Sequence, residues 1–167
     1  MKALGVLILG IVLSLSAQAY THSGNGGGQG GASTTTCMDH GSALAVDNEQ
    51  ALQWRANQTS GFQSRILISG VVDEVFPDHS GHRHFSVKIG PNADDHIEVI
   101  YNVSFGSMPL PVVGQSAEAC GDYIVATQAN GGYPASPDGA LVHWVHRSPN
   151  GGHDNGFVVL NGVTYGN

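Results

Sequence analysis

From Arg65 onward, apolar positions recur every second residue, the period of half-buried strands; before Arg65 they do not. Asp47 or Asn48 is placed to cap a helix running to about Asn57, with Leu44, Leu52 and Trp54 as apolar anchors and Ser60-Gly61 ending it. The stretch from Arg65 to Phe76 then reads as a long strand, and Gly70 inside it marks a bulge or bend. Pro77-Asp78-His79-Ser80-Gly81 reads as a turn. A second strand spans His84 to Ile89, with Phe85, Val87 and Ile89 on one face and His84, Ser86 and Lys88 on the other. Gly90-Pro91-Asn92 turns the chain into a third strand, His96 to Phe105, whose Ile97, Val99, Tyr101 and Val103 share a face. Met108 to Gly114 crosses over to a fourth strand, Ala117 to Thr127. A Gly/Pro-rich loop, Asn130 to Gly139, leads to a fifth, Ala140 to His146. The expected fold is mainly β: a small five-stranded OB-like barrel preceded by one short helix. A two-sheet sandwich stays open as the alternative, because strand order alone does not dictate closure.

The N-terminal end follows a different pattern. Met1-Lys2 is a minimal positive region, Ala3 to Leu15 is apolar but short for a membrane span, and Ala17-Gln18-Ala19 has the small-x-small form of a cleavage site. Residues 1–19 therefore read as a signal peptide and residues 20–36, rich in Gly, Ser and Thr, as a flexible linker. Residues 37–167 form the OB-like β domain. No second apolar stretch stops transfer and no Cys sits at the cleavage point, so no stable membrane anchor is expected and the destination is the periplasm or the medium. The linker contains Gly26, Gly28 and Gly31 in a G-x-G-x-x-G spacing, but without a preceding strand this is no dinucleotide site.

Charge narrows the list of partners. The formal net charge is −7; losing Lys2 with the leader leaves five basic and thirteen acidic residues, or −8. Such a chain is poorly equipped to displace counterions from nucleic acid or to dock on an anionic bilayer. An oligosaccharide or an envelope protein is the more fitting extracytoplasmic ligand.

The two cysteines, Cys37 and Cys120, allow a single pairing. Neither has a CxxC partner, and export favours a disulfide over a reactive thiol. The loop it closes is long and is worth about 4 kcal/mol in the chain-entropy account.

Of nine histidines, five concentrate in two places: His82 and His84, then His143, His146 and His153. His82 and His84 are two apart and share a strand face. His143 and His146 are three apart and point to opposite faces unless the strand ends or bulges between them, as the nearby Pro149 allows. His153 sits in a Gly-rich loop able to fold back. These five are the candidate metal ligands, and a divalent transition metal such as Zn is the cofactor that converging imidazoles suit. The plainer reading makes them half-buried strand and solvated turn residues. Trp144 reads as core, and no G-x-S-x-G nucleophile motif occurs.

From about Asn48 to Gly166 the chain resembles an exported bacterial family of unknown function that carries a His-Trp-Thr-His signature, here His143-Trp144-Val145-His146. Ser148-Pro149-Asn150-Gly151-Gly152-His153 followed by Gly156-Phe157, Gly81-His82-Arg83-His84-Phe85 with His82 or His84 as the matching imidazole, and Tyr101-Asn102 resemble its other segments, with Tyr101 and Val145 departing from the family pattern. The resemblance implies functional imidazoles and adds Asn102 to His143 and His146 as candidate catalytic groups, without naming an activity. Three functions follow. The first is a binding domain, metal-loaded or not, for an extracytoplasmic ligand. The second is a metal-dependent or His-based hydrolase, nuclease-like in one form. The third is a structural domain whose imidazoles respond to acid.

Overall fold

The computed structural model describes residues 35–131 and 133–167; the expected signal peptide, residues 1–19, and nearly all of the 20–36 linker lie outside the described residues. The elements run β1 (Met38–Asp39), β2 (Ser42–Ala43), α1 (Asn48–Asn57), β3 (Gln63–His79), β4 (His82–Lys88) and β5 (His96–Asn102), then a 3-10 turn (Val103–Phe105). They continue with β6 (Ser116–Val125), β7 (Ala140–His143), β8 (Phe157–Leu160) and β9 (Val163–Tyr165). The domain is mainly β, with one short helix and a seven-stranded sheet among the described residues, in the order β3-β4-β5-β7-β6-β8-β9.

Strand β3 serves two partners. Its first half, Gln63 to Val71, pairs antiparallel with β6, and its second half, from Val71 onward, pairs with β4. Gly70 sits at the changeover, where a Cβ would meet the Lys88 carbonyl oxygen at 2.0 Å. Strand β5 pairs antiparallel with β4 and parallel with β7. Alternation then decides the layers: Phe85, Val87, Ile97, Val99, Tyr101, Tyr123 and Val142 are wholly buried in one core. Each such aliphatic or aromatic side chain contributes about 1.5–3 kcal/mol of burial free energy. Helix α1 starts where Asp47 accepts from the Gln50 N–H (2.9 Å), buries Ala51 in that core, and receives the Tyr123 hydroxyl on the Ala51 carbonyl (2.8 Å). Asn48 donates to the carbonyls of Ser69 (2.7 Å) and Ile89 (2.9 Å), joining the helix start to the strands.

A smaller apolar cluster lies around the Cys37–Cys120 disulfide, which packs on Phe157 with Leu44 and Leu67. The bridge joins residues 83 apart in sequence and holds the β1–β2 hairpin to β6. Among the described residues no helix is long and apolar enough to cross a membrane.

Several expected boundaries move. The 77–81 turn shrinks to Ser80-Gly81, both at positive φ, because Pro77 falls within an irregularity of the β3–β4 register between Phe76 and His79, where its missing N–H costs no ladder bond. Strand β5 stops at Asn102, whose side-chain oxygen accepts from the Ser104 N–H (2.9 Å) and starts the 3-10 turn. The β8–β9 hairpin lies beyond the five expected strands. Its signal stands in the sequence as Asn161-Gly162, both at positive φ, between two apolar runs.

The largest departure concerns the fifth strand, which ends at His143 rather than His146. β7 and β8 lie along the same edge of β6: His143 pairs with Asp122 and Phe157 with Cys120. Between these neighbouring rungs the chain makes a thirteen-residue excursion, 144–156. Gly121 and Gly156 permit it. A Cβ on Gly121 would lie 2.2 Å from the His143 carbonyl oxygen, and one on Gly156 would lie 2.2 Å from that of Trp144. Both obstacles are backbone, so no side-chain rotation relieves them.

Gly121→Ala is therefore expected to destabilise the fold by about 3 kcal/mol or to prevent folding, at or above the upper end of overpacking costs. Gly152→Ala, within the same excursion but with nothing within 4 Å of the added atom, is expected to change stability by less than about 0.5 kcal/mol. Urea unfolding of both variants checks this, and equal effects would contradict it.

Candidate functional site

The excursion begins at Trp144, whose φ of 54° lies in the left-handed region that a bulky residue rarely adopts. That reversal ends the strand alternation. Val145 turns into the core, wholly buried, while Trp144 stays 39% exposed. The expectation that Trp144 is core is thus overturned: it shares no strand face with Val142, because the strand has already ended.

The same reversal removes the objection that His143 and His146 point apart. Their surroundings form one continuous row of rings. His84 and His82 on β4 are 6.4 Å apart between ring centroids, and His82 is 5.8 Å from His143 at the end of β7. His143 is 4.5 Å from Trp144, Trp144 is 5.3 Å from His153, and His153 meets His146 edge-on at 5.0 Å. His146 then stacks flat on Phe105, with centroids 3.6 Å apart and planes 5° apart. All five histidines singled out in sequence belong to this row. Phe105 and the exposed face of Trp144 were not foreseen; nothing in a two-residue period marks either.

The ring nitrogens of the five are not gathered around a point. Among the described residues the set whose ligand atoms all lie within 4.8 Å of one another is Asp39, His40 and Asp154. The row is built by ring-on-ring packing, with nitrogens tied to backbone at its buried end. His146 Nδ1 lies 2.8 Å from the Arg147 carbonyl, and His153 Nδ1 lies 2.8 Å from that of Asp154, so each is placed to donate there.

Acids flank the other end. His84 Nδ1 lies 2.8 Å from Glu98 Oε1, and Glu98 is buried on β5. Beyond it, Ser86, wholly buried, donates to Asp138 (2.7 Å), whose carboxyl is pushed up by burial against the opposing pull of that hydrogen bond. Asp122, in register with His143, is committed to Arg65 at 2.8 Å. Asn102 stands in register with His82, but its side-chain oxygen is taken by Ser104, leaving its amide N–H groups for any ligand.

Two imidazoles of the row, His143 and His146, are held towards their neutral form. Burial, then the neighbouring His82, His146 and His84, pushes His143 down from 6.5 to about 4, with Asp122 opposing weakly. Burial also lowers His146, against the Arg147 carbonyl and with His153 and His82 adding to the shift. Neutral imidazoles each offer one donor and one acceptor. Beside them runs the excursion's far end, where an open cleft of about 360 Å³ is lined by His40, Ser148, Gly152 and His153 among others.

Comparisons with models of protein families and with curated proteins find nothing that matches this chain.

The lowered values make stability pH-dependent, with a definite sign. Above pH 6.5 His143 is neutral in both the folded and the unfolded chain, and its effect is nil. Between about 6.5 and 4 the unfolded chain binds a proton that the folded one refuses, so stability falls as pH falls. The loss is at most about 3 kcal/mol from His143, and His146 adds in the same direction. His143→Gln is expected to flatten the decline, as read from urea midpoints between pH 7.5 and 4.5; an unchanged slope would contradict the assignment.

Proposed function

We propose that this chain is an exported binding module that holds a neutral oligosaccharide on its row of rings. The observation that carries the reading is the row itself: a part-exposed Trp144 flanked by the imidazoles of His143 and His153, with His143 held neutral at neutral pH by burial. A sugar presents C–H faces that stack on indole and hydroxyls that donate, and His146, its Nδ1–H spent on the Arg147 carbonyl, keeps Nε2 to accept from them. A phosphate backbone needs several fixed positive charges, and the net charge of −7 opposes it.

The reading takes the fold to be an OB-like barrel. In its support, β3, β4, β5, β7 and β6 pair in succession and β6 pairs back to β3, with β5 and β7 parallel. OB barrels bind oligosaccharides and oligonucleotides on the face of their second and third strands, which here are β4 and β5. His82 and His84 lie on that β4 face. Placement in the periplasm or the medium is supported by the apolar leader at the N-terminus and by the Cys37–Cys120 bridge, which persists in oxidising compartments. Kinship with the exported family bearing the His-Trp-Thr-His signature belongs to the same proposal, as does a divalent metal on the imidazoles, which would require their side chains to converge.

A second reading, a His-based hydrolase, is favoured by the His84–Glu98 pair at 2.8 Å. A carboxylate on Nδ1 leaves Nε2 to act as a base. Loss of turnover in His84→Ala on a panel of glycoside, ester and nucleotide substrates would select it; no turnover by the parent protein removes it.

Trp144→Ala is expected to weaken binding to a responding glycan at least tenfold, measured by calorimetry after screening on a glycan array, while the variant still unfolds cooperatively in urea, because the core lies elsewhere. Absence of any glycan response, or salt-sensitive binding of single-stranded DNA instead, would overturn the sugar reading.

A further inference from the structure

We propose that Asp39, His40 and Asp154 form a site for a divalent first-row transition-metal ion, at the edge of the cleft between the β1–β2 turn and the end of the 144–156 excursion. One ligand atom from each residue lies within 4.8 Å of the others. Donors around one ion at about 2.0–2.2 Å sit roughly 3–4.4 Å from each other, so small side-chain rotations close this set on a cation. Two carboxylates balance the charge of a divalent ion. The imidazole favours zinc and its neighbours over magnesium and calcium, which take oxygen ligands.

The backbone has arranged these donors. Successive strand residues point to opposite sides, but His40 adopts φ 46° in the β1–β2 turn and brings its Nε2 to 3.7 Å from Asp39 Oδ1. The His40 backbone N–H donates to Asp154 Oδ2 at 2.6 Å, across 114 residues of sequence. Arg65 holds both donor-bearing segments from behind: it donates to the carbonyls of Met38 (3.1 Å) and Asn155 (2.6 Å), neighbours of Asp39 and Asp154. Its own charge is matched by Asp122, so it does not cancel the two free carboxylates. The Cys37–Cys120 bridge anchors the hairpin two residues before Asp39. The adjoining cleft, about 360 Å³, leaves room for waters or a ligand atom to complete the coordination. Because the His40 side chain is 95% exposed, micromolar rather than nanomolar affinity is expected.

This site shares no residue with the ring row, so the two proposals fail separately. The test is calorimetric titration of the oxidised protein, purified without affinity histidines and stripped with chelator, with zinc chloride. One equivalent is expected to bind and to raise the melting temperature. The Asp39→Asn, Asp154→Asn double variant keeps the hydrogen bond to the His40 N–H through the amide oxygen; it is expected to lose at least tenfold in affinity and the thermal shift. His40→Gln does the same, whereas His82→Ala with His143→Ala, at ring-row positions outside the cleft, leaves both unchanged. No zinc binding, binding lost only in the ring variants, or equal affinity for magnesium would each overturn the assignment.

Discussion

Two backbones lie in direct contact where the edge of β6 meets the excursion, and this is possible only because positions 121 and 156 carry no Cβ. The contact interrupts what would otherwise be one strand, β7 continuing into β8 along β6. Because the interruption comes immediately after His143, the chain reverses at Trp144, sends Val145 inward, and delivers His146 onto Phe105 of the 3-10 turn with His153 against it. The ring row is a consequence of that reversal, and so is the meeting of Asp154 with the β1–β2 turn. An ordinary residue at either glycine would push the excursion off β6 and dissolve both arrangements.

Arg65 and the disulfide keep the excursion where the glycines admit it. The guanidinium, its side chain only 5% exposed, reaches the β1 backbone, the Asp122 carboxylate on β6 and the Asn155 carbonyl. A buried guanidinium with its donors satisfied is favourable; one left unpaired would cost several kcal/mol, so these partners stand or fall together. The bridge adds about 4–5 kcal/mol in the chain-entropy account for a loop of 83 residues. It also covers itself with Phe157, so hairpin, sheet and excursion share one apolar contact.

Burial, reinforced by crowding, sets the electrostatic character of His143 and His146. Burial penalises a charged His143 most, and the neighbouring imidazoles, His82 with its ring centroid 5.8 Å away among them, add to that penalty. The result is that His143 and His146 stay neutral in the middle and at the buried end of the row. At the other end of the row His84 is oriented by its contact with the buried Glu98 carboxylate.

The sequence alone determined what local physics controls. Asp47 starts α1 by accepting an N–H, and alternation assigned Phe85, Val87, Ile97, Val99 and Tyr101 to the buried face, because each depends only on near neighbours and on period. With two cysteines only one pairing existed, and it formed. The five imidazoles were legible as a group, and the Asn161-Gly162 hairpin was legible in principle. What only the tertiary structure decided lies at the strand end. Whether His143 and His146 diverge depends on where β7 stops, which is set by backbone contact with Gly121 on another strand. Trp144 looks like core by alternation and is exposed because alternation had already ceased. Asp39, His40 and Asp154 carry no mutual signal in the chain: their meeting needs a left-handed turn at His40, a disulfide and an excursion more than a hundred residues away, and no local rule joins those three.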